Sequence, residues 1–225
     1  MFDTIAGRYD LLNRLLSAGR DLAWRKRSAR LLPSLKSGTR VLDLCGGTGD
    51  FTAALRKAGS TAQILIGDFS RPMLALSVPK GLIAPPVVLD ALHLPLKDNT
   101  FDAVVCGFGM RNLDDTSAGI RAVHTLLKPG GSFLTLEFFR PANPFTKFFY
   151  GVLAPIFIPP LGRLLGSKRD AYDYLVRSVK RFRSAEEYAA LCRDAGFVTT
   201  RIQAQDGGIA HAVLAVKSNP SALKE

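Results

Sequence analysis

The chain has 225 residues, 47% of them hydrophobic, which is enough for one domain with a substantial core. Its three cysteines are odd in number and far apart in the sequence, which excludes a disulfide framework and a zinc knuckle and favours a reducing, cytoplasmic compartment. No apolar segment typical of a signal peptide follows the first residues.

The net charge of +11 is concentrated in two flanks. Residues 1–40 carry nine Lys or Arg against three Asp or Glu, and residues 140–183 carry nine against two. Such flanks are typical of solvated helix faces, of contact with an anionic membrane surface and of nucleic-acid binding. The charge alone does not separate these three interpretations.

Short apolar runs alternate with helical patterns along most of the chain. The alternation predicts an α/β fold with a parallel sheet covered on both faces. The predicted strands cover 40–45, 62–67, 87–89, 102–108 and 132–138, and the predicted helices lie near 50–58, 72–78 and 116–127.

The pattern changes after residue 184. Ser184 and Glu187 form a capping box that opens a helix toward Gly196. Two alternating runs at 198–204 and 210–216 follow, separated by Asp-Gly-Gly, and they predict a hairpin. The sheet should therefore end in an antiparallel pair.

The first predicted strand leads into a glycine-rich turn, VLDLCGGTGDF at 41–51. A triphosphate loop would need a Lys after the glycines, and a dinucleotide fingerprint would read G-x-G-x-x-G; this turn has neither. Asp50 stands where the next helix begins, and its carboxylate would compete with a pyrophosphate for the positive end of that helix. The turn therefore favours a ligand that is uncharged or cationic at this point.

Acidic residues stand at or near the ends of the first three strands, at Asp43, Asp68 and Asp90. Asp68 could accept the two hydroxyls of a ribose and Asp90 the amino group of an adenine, because ligands of open α/β sheets bind outside these strand ends. Each acid alone is typical of a turn or a helix cap. Together, beside the glycines, they favour an adenosine that carries an amino-acid or sulfonium group.

These motifs resemble the Rossmann-like methyltransferases that use S-adenosylmethionine. Further motifs are FDTIAGRYDLLN at 2–13, WRKR at 24–27, FGMRNLDD at 108–115, LKPGG at 127–131, LEFFRP at 136–141 and YDYLVRSVKRF at 172–182. With these motifs the chain resembles, from residue 2 to about 216, the ubiquinone/menaquinone-biosynthesis C-methyltransferases, and FGMRN and the Tyr-rich segment are the most specific of them. The resemblance implies a seven-stranded, mostly parallel sheet whose last strand is antiparallel.

The resemblance implies S-adenosylmethionine as the cofactor and C-methylation of a polyprenyl quinol as the reaction. Demethylmenaquinol is the favoured acceptor, and the methoxybenzoquinol of ubiquinone biosynthesis remains the alternative. The cofactor is expected to contact Asp43, Gly46, Gly47, Gly49, Thr52, Asp68, Asp90 and Ala91. No metal is expected. Family members typically end with G-G-I-x-A-x-H, whereas GGIAHAVLAVK here places His211 two positions early, so no histidine is assigned a role.

The substrate side is expected to use Tyr9, Arg111 and Asn112. Since the pKa of an arginine stays above ~12, Arg111 is a poor base. We expect it to stabilise a developing phenolate or to orient a water, with Asn112 on the same oxygen and Tyr9 on the other ring oxygen. The alternative for Arg111 and Asn112 is a loop salt bridge and a helix N-cap.

An uncharged segment, FFYGVLAPIFIPPLG, covers 148–162. It is too short and too rich in proline for a membrane span of ~20 residues, so it predicts a lid over the site or an apolar mouth for an isoprenoid tail. We therefore expect one domain, 1–225, with an N-terminal helical segment at 1–36, an inserted lid at 139–183 and a C-terminal hairpin at 198–216.

The expected partners are a polyprenyl quinol, a second copy of the chain in a homodimer, and an anionic membrane contacted peripherally at the inner face of the cell membrane. A nucleic-acid methyltransferase is a weaker alternative, because the amino-methylating kind carries N-P-P-[YF] where this chain has FGMRN. The C5-cytosine kind needs a loop Pro-Cys, whereas Cys106 lies inside an apolar strand. No nucleic acid is expected.

Overall fold

The computed structural model describes residues 7, 10–11, 13–14, 17–82, 84–153 and 169–220. They contain a seven-stranded sheet in the order β3-β2-β1-β4-β5-β7-β6. The strands are β1 Arg40–Leu44, β2 Gln63–Asp68, β3 Pro86–Val88, β4 Phe101–Gly107, β5 Leu127–Glu137, β6 Phe197–Gln205 and β7 Ala210–Lys217. The first five strands pair in parallel, and β7 is antiparallel to both of its neighbours. The predicted fold class, with its antiparallel last strand, is confirmed.

The helices connect the strands as the alternating pattern predicts. The α-helices are α1 Arg20–Ala29, α2 Asp50–Lys57, α3 Arg71–Ala75, α4 Thr116–Leu126, α5 Pro144–Phe148, α6 Arg169–Arg181 and α7 Ala185–Asp194. Short 3-10 turns lie at Val78–Lys80, Met110–Asn112 and Asp206–Gly208, and a π-helical turn lies at Phe149–Leu153. The capping box of α7 is present, with Ser184 Oγ accepting from the Glu187 N–H and the Glu187 carboxylate accepting from the Ser184 N–H.

Two elements differ from their predicted bounds by more than one residue. The helix expected at 72–78 ends at Ala75, and a separate 3-10 turn with Pro79 follows, because proline lacks the N–H that would continue an α-helix. The fifth strand begins at Leu127 rather than at residue 132, since Leu127 already pairs with Phe101 and a register shift follows before the regular ladder starts.

Alternate residues of the central strands point to two separate cores, as expected for a sheet covered on both faces. Leu42 and Val104 pack with residues of α4 and α7, including Ile120 and Tyr188. Val41, Ala103 and Val105 pack on the other face against α1 and α2, including Trp24 and Phe51. Both faces of the sheet are therefore covered, and the edge formed by the carboxyl ends of its parallel strands is left to form a site.

The helix α1 is fastened to the β6–β7 hairpin by one carboxylate. Asp206 accepts hydrogen bonds from Arg20 Nε at 2.6 Å, from Trp24 Nε1 at 2.6 Å and from Arg27 Nη2 at 2.8 Å. The hydrogen bond from Arg20 is the main reason why the pKa of Asp206 lies well below its usual value. These contacts hold α1 against the hairpin. Arg25, also on α1, reaches the pocket described below.

Candidate active site

A pocket of about 450 Å³ lies at the carboxyl ends of the parallel strands. This is the edge at which open α/β sheets bind their ligands. Its walls come from α1, from the segments that follow β1, β2 and β4, and from the loop after β3. They include Arg25, Asp43, Cys45, Gly46, Gly47, Asp50, Asp68, Phe69, Asp90, Ala91, Phe108 and Asn112.

The glycine turn after β1 brings backbone close to the pocket. A Cβ on Gly46 would stand 2.7 Å from Ile66 Cγ2 and 2.9 Å from the Asp43 carbonyl oxygen, so no side chain fits there. Gly47 adopts a φ of +53°, which is left-handed, and its N–H donates to Asp68 Oδ2 at 2.9 Å. The third glycine, Gly49, caps α2 and packs toward Leu82 instead of lining the pocket.

Asp43 connects β1 to the helix that follows the glycine turn. Its Oδ2 accepts from the Thr52 backbone N–H at 2.9 Å and from Thr52 Oγ1 at 2.7 Å, and both residues are buried. Burial raises the pKa of Asp43 to about 6, against the lowering effect of these two hydrogen bonds. Asp43 Oδ1 is buried and accepts no hydrogen bond from the described residues, although Asp43 lines the pocket. A ligand that donates a hydrogen bond would satisfy this oxygen.

Two further carboxylates stand at neighbouring strand ends. Asp68 ends β2, and its Oδ1 accepts from the Ser70 N–H at 2.8 Å. Asp90 follows β3, and its Oδ1 accepts from the Leu92 N–H at 2.9 Å. That hydrogen bond is the first cause of the lowered pKa of Asp90, and the second is the contact with His93. Asp68, Asp90 and the buried Ala91 all line the pocket, so the structure brings these predicted residues together.

Arg111 lies beside the pocket in a buried ion pair and is not among the residues that line it. Its Nη1 donates to Glu137 Oε1 and to the Phe108 carbonyl oxygen, both at 2.7 Å, and its backbone N–H donates to Glu137 Oε2 at 3.2 Å. The side chains are 8% and 0% exposed for Arg111 and Glu137, respectively. Burial raises the pKa of Glu137 and outweighs the lowering effect of Arg111. The arginine side chain is thus held by one buried carboxylate and one carbonyl.

Asn112, the next residue, lines the pocket itself. Its Nδ2 donates to the Phe108 carbonyl oxygen at 3.1 Å, and its Oδ1 accepts from the Tyr174 hydroxyl at 2.9 Å. Tyr174 lies on α6, within the segment 139–183 predicted as the lid, so a helix of that segment orients a residue of the site. Tyr9, the third residue predicted on the substrate side, lies outside the described residues.

Several residues of the site were not singled out from the sequence. Phe69 is 77% exposed and lines the pocket. Its position could have been identified from the sequence, because it directly follows Asp68 at the end of β2. Arg25, Glu137 and Tyr174 lie inside the WRKR, LEFFRP and YDYLVRSVKRF motifs, but the motifs do not say what each side chain contacts. Cys45 lines the pocket from within the glycine turn.

Asp50 is also on the wall, but it is not the isolated charge that the sequence argument assumed. It accepts from Arg14 Nη2 at 2.8 Å and from Lys80 Nζ at 3.0 Å. Burial raises the pKa of Asp50, but the charge of Arg25 and the hydrogen bonds from Arg14 and Lys80 lower it by more. The pKa of Asp50 is therefore below its ordinary value. Among the residues that the structure describes, no three His, Cys, Asp or Glu side chains converge as metal ligands.

Comparison with known proteins yields a family and a set of related folds. A family model described as the ubiE/COQ5 methyltransferase family matches residues 1–217. A protein of Staphylococcus aureus named demethylmenaquinone methyltransferase is 36% identical over 214 residues, which cover 93% of this chain and 88% of that protein.

Solved structures are similar in fold at low identity. A possible histamine N-methyltransferase of Thermotoga maritima, described as dependent on S-adenosylmethionine, has a TM-score of 0.67 at 18% identity and covers 96% of this chain and 98% of its own. Phosphoethanolamine N-methyltransferase 2 of Haemonchus contortus, solved with S-adenosylmethionine, has a TM-score of 0.64 at 17% identity, with 89% of this chain and 52% of its own covered. At these identities the likeness shows the fold alone.

Proposed function

The chain belongs to the ubiE/COQ5 methyltransferase family, and from that membership we propose that it methylates a ring carbon of demethylmenaquinol, using S-adenosylmethionine, in menaquinone biosynthesis. The relative named demethylmenaquinone methyltransferase, which is 36% identical over 93% of the chain, is the observation that carries this choice of acceptor. The chemistry of the pocket supports the cofactor.

The residues that would hold S-adenosylmethionine are those at the strand ends. Asp43 Oδ1, which has no hydrogen-bond partner among the described residues, matches an ammonium group, and the bare backbone at Gly46 leaves room for close contact. Asp68 would accept the ribose hydroxyls, Asp90 the adenine amino group, and the exposed ring of Phe69 would cover an aromatic base. When bound, S-adenosylmethionine supplies its methyl group from a sulfonium whose positive charge is lost on transfer.

The polar residues after β4 would act on the quinol. A ring carbon becomes nucleophilic when the neighbouring hydroxyl loses its proton, so a positive charge near that oxygen favours the reaction. Arg111, fixed by Glu137, would stabilise the phenolate or orient the water that takes the proton, and Asn112 would orient the same oxygen from the wall. Tyr9 is proposed for the other ring oxygen.

The segment after β5 would receive the isoprenoid tail. In its described part, Phe145, Phe148 and Val152 are exposed on α5 and the π-helical turn, beside the exposed Lys147. Exposed apolar side chains next to basic residues suit a surface that touches anionic lipid. We propose that this lid, predicted for 139–183, is the mouth through which a membrane-held substrate enters. Among the described residues, no helix is both long and apolar enough to cross a bilayer.

A direct assay tests the proposal. The purified chain is given S-adenosylmethionine with a labelled methyl group and either demethylmenaquinol or a polyprenyl methoxybenzoquinol, and the products are analysed by mass. We expect the methyl group on the naphthoquinol ring. Methylation of the benzoquinol alone would assign the chain to ubiquinone biosynthesis, and methylation of neither, with retained cofactor binding, would refute a quinol acceptor.

A further inference from the structure

Two of the three cysteines, far apart in the sequence, meet at the wall of the pocket. Cys45 lies in the glycine turn after β1 and lines the pocket, whereas Cys106 is fully buried near the end of β4. A Cβ on Gly109 would stand 2.8 Å from Cys106 Sγ and 2.9 Å from Cys45 Sγ. The two sulfur atoms can therefore be no further apart than the sum of these distances.

We propose that Cys45 and Cys106 form a peroxide-reactive dithiol, which a hydroperoxide converts into a disulfide on the wall of the cofactor pocket. Both cysteines are free thiols in the structure. Gly109 makes the arrangement sterically feasible, because any side chain at that position would enter the space that the two sulfur atoms occupy.

The surroundings give the two sulfurs different roles. Cys45 is half-buried and borders the pocket, so a small oxidant can reach it. Hydrogen bonding to Cys45, followed by burial, raises the pKa of Cys106 well above its usual value. Cys106 therefore stays a thiol beside the Cys45 sulfur, in place to attack once Cys45 is oxidised.

The chemistry balances with hydrogen peroxide as the oxidant. The Cys45 thiolate attacks one peroxide oxygen, an S–O bond forms, the O–O bond breaks, and the departing hydroxide takes a proton to give water. Cys106 then gives up its S–H proton to the departing hydroxide and attacks the sulfur of the Cys45 sulfenic acid, so that an S–S bond forms, the S–O bond breaks and a second water leaves. Two thiols are oxidised by two electrons, and one peroxide is reduced to two waters.

A disulfide here would change the loop that is proposed to hold the cofactor, and this consequence rests on the proposed function. Cys45 has a left-handed φ of 53° and directly precedes Gly46 and Gly47. A disulfide imposes a dihedral angle near 90° and a fixed spacing of the two Cα atoms, so Cys45 must turn toward β4 and take the loop with it. We expect the affinity for S-adenosylhomocysteine to fall by ~10-fold, the effect of one misplaced hydrogen bond to a charged group.

The test treats the reduced full chain with hydrogen peroxide and follows the intact mass and the peptide map. The matched control is Cys192→Ser, since Cys192 is a buried thiol on α7 whose pKa burial raises to about 12. The wild type and this control should lose the mass of two hydrogen atoms and yield a Cys45–Cys106 peptide. Cys106→Ser should stop at a sulfenic acid on Cys45, which a dione reagent traps, and Cys45→Ser should leave Cys106 unoxidised.

Each other outcome overturns part of the proposal. A wild type that accumulates sulfenic acid without the disulfide, or a Cys45→Ser protein that oxidises as fast as the wild type, refutes the dithiol. Melting curves identify a variant that fails to fold, and Cys106→Ala then replaces Cys106→Ser. If the reduced chain binds S-adenosylhomocysteine and the disulfide form binds it equally well, the effect on the cofactor is refuted. If the reduced chain does not bind it at all, the proposed function fails while the mass measurements still decide on the dithiol.

Discussion

Replacing Arg111 by alanine should remove two properties of the protein that can be measured separately. The guanidinium is the charge that offsets Glu137, a carboxylate whose side chain is 0% exposed. It is also the positive charge proposed to act on the phenolate. A single Arg111→Ala variant therefore mixes a loss of stability with a loss of catalysis, and a second substitution is needed to separate them.

The loss of stability follows from the burial of Glu137. Removing one partner of a buried ion pair typically costs about 3–5 kcal/mol, because the other charge remains without compensation. Burial already raises the pKa of Glu137 above its ordinary value of 4.5, and without Arg111 it must rise further. A carboxyl group with a raised folded-state pKa stabilises the fold fully below the unfolded pKa and loses that contribution as pH rises through the folded pKa. The deficit of Arg111→Ala should therefore be smallest in acid and grow toward neutral pH.

The catalytic loss is measured in the double variant Arg111→Ala/Glu137→Gln. The neutral amide removes the buried charge, so the double variant should regain most of the lost free energy of unfolding. Its turnover should stay ~10²–10³-fold below the wild type, the usual cost of losing one group that stabilises a transition-state anion. Affinity for S-adenosylhomocysteine should change little, since the proposed cofactor contacts lie on Asp43, Asp68 and Asp90.

Denaturant melts at several pH values, calorimetric titration and quinol turnover, all on one preparation, give these quantities. If the double variant regains turnover together with stability, Arg111 is a structural ion-pair residue and has no part in the chemistry. If the deficit of the single variant does not depend on pH, Glu137 is not the group that titrates.

Three further changes test other parts of the site. Asp68→Asn should weaken S-adenosylhomocysteine binding by ~1.5–3 kcal/mol, the usual worth of a hydrogen bond to a charged acceptor, and an unchanged calorimetric Kd would contradict the ribose assignment. Tyr174→Phe should lower turnover several-fold and leave the Kd of the cofactor unchanged, because the Tyr174 hydroxyl holds Asn112. The control is Tyr188→Phe, which should lower only the melting temperature, because the Tyr188 hydroxyl bonds inside the core. The fraction of protein that sediments with vesicles of anionic lipid should be larger at low salt than at high salt, and Lys147→Glu should reduce it. If neutral vesicles bind an equal fraction, the basic flanks are only solvated.

The fold was predictable because its signals are local. The apolar strands, the capping box at Ser184 and the Asp-Gly-Gly turn each depend on a few neighbouring residues. The two larger errors had different causes: Pro79, a local signal, limits α3, whereas the start of β5 depends on a tertiary contact. The strand β5 begins at Leu127 because Phe101 on the neighbouring strand pairs with it, and no local pattern contains that partner.

The site residues at the strand ends could be predicted from the sequence, but the contacts between separate elements could not. Asp68 and Asp90 could be placed at one edge, since parallel strands of a sheet share their carboxyl end. Glu137 and Tyr174 could not, because each is defined by a contact across the fold, with Arg111 and Asn112 respectively. The cysteines illustrate the same limit: their distance in sequence excluded a disulfide framework, yet β1 and β4 are neighbours and bring two of them together.

The structure offers a different physical reason to expect no pyrophosphate at the glycine turn. The sequence places the carboxylate of Asp50 at the start of α2, where it would repel an anion. In the structure Arg14 and Lys80 pair with that carboxylate, so its repulsion of an anion is weakened. The stronger obstacle is Asp68, whose Oδ2 already accepts the Gly47 N–H at 2.9 Å. A pyrophosphate would need such loop N–H groups as donors, whereas a ribose hydroxyl can donate to the same carboxylate without displacing it. We therefore propose that the hydrogen bond between Gly47 and Asp68 favours a nucleoside over a dinucleotide at the glycine turn.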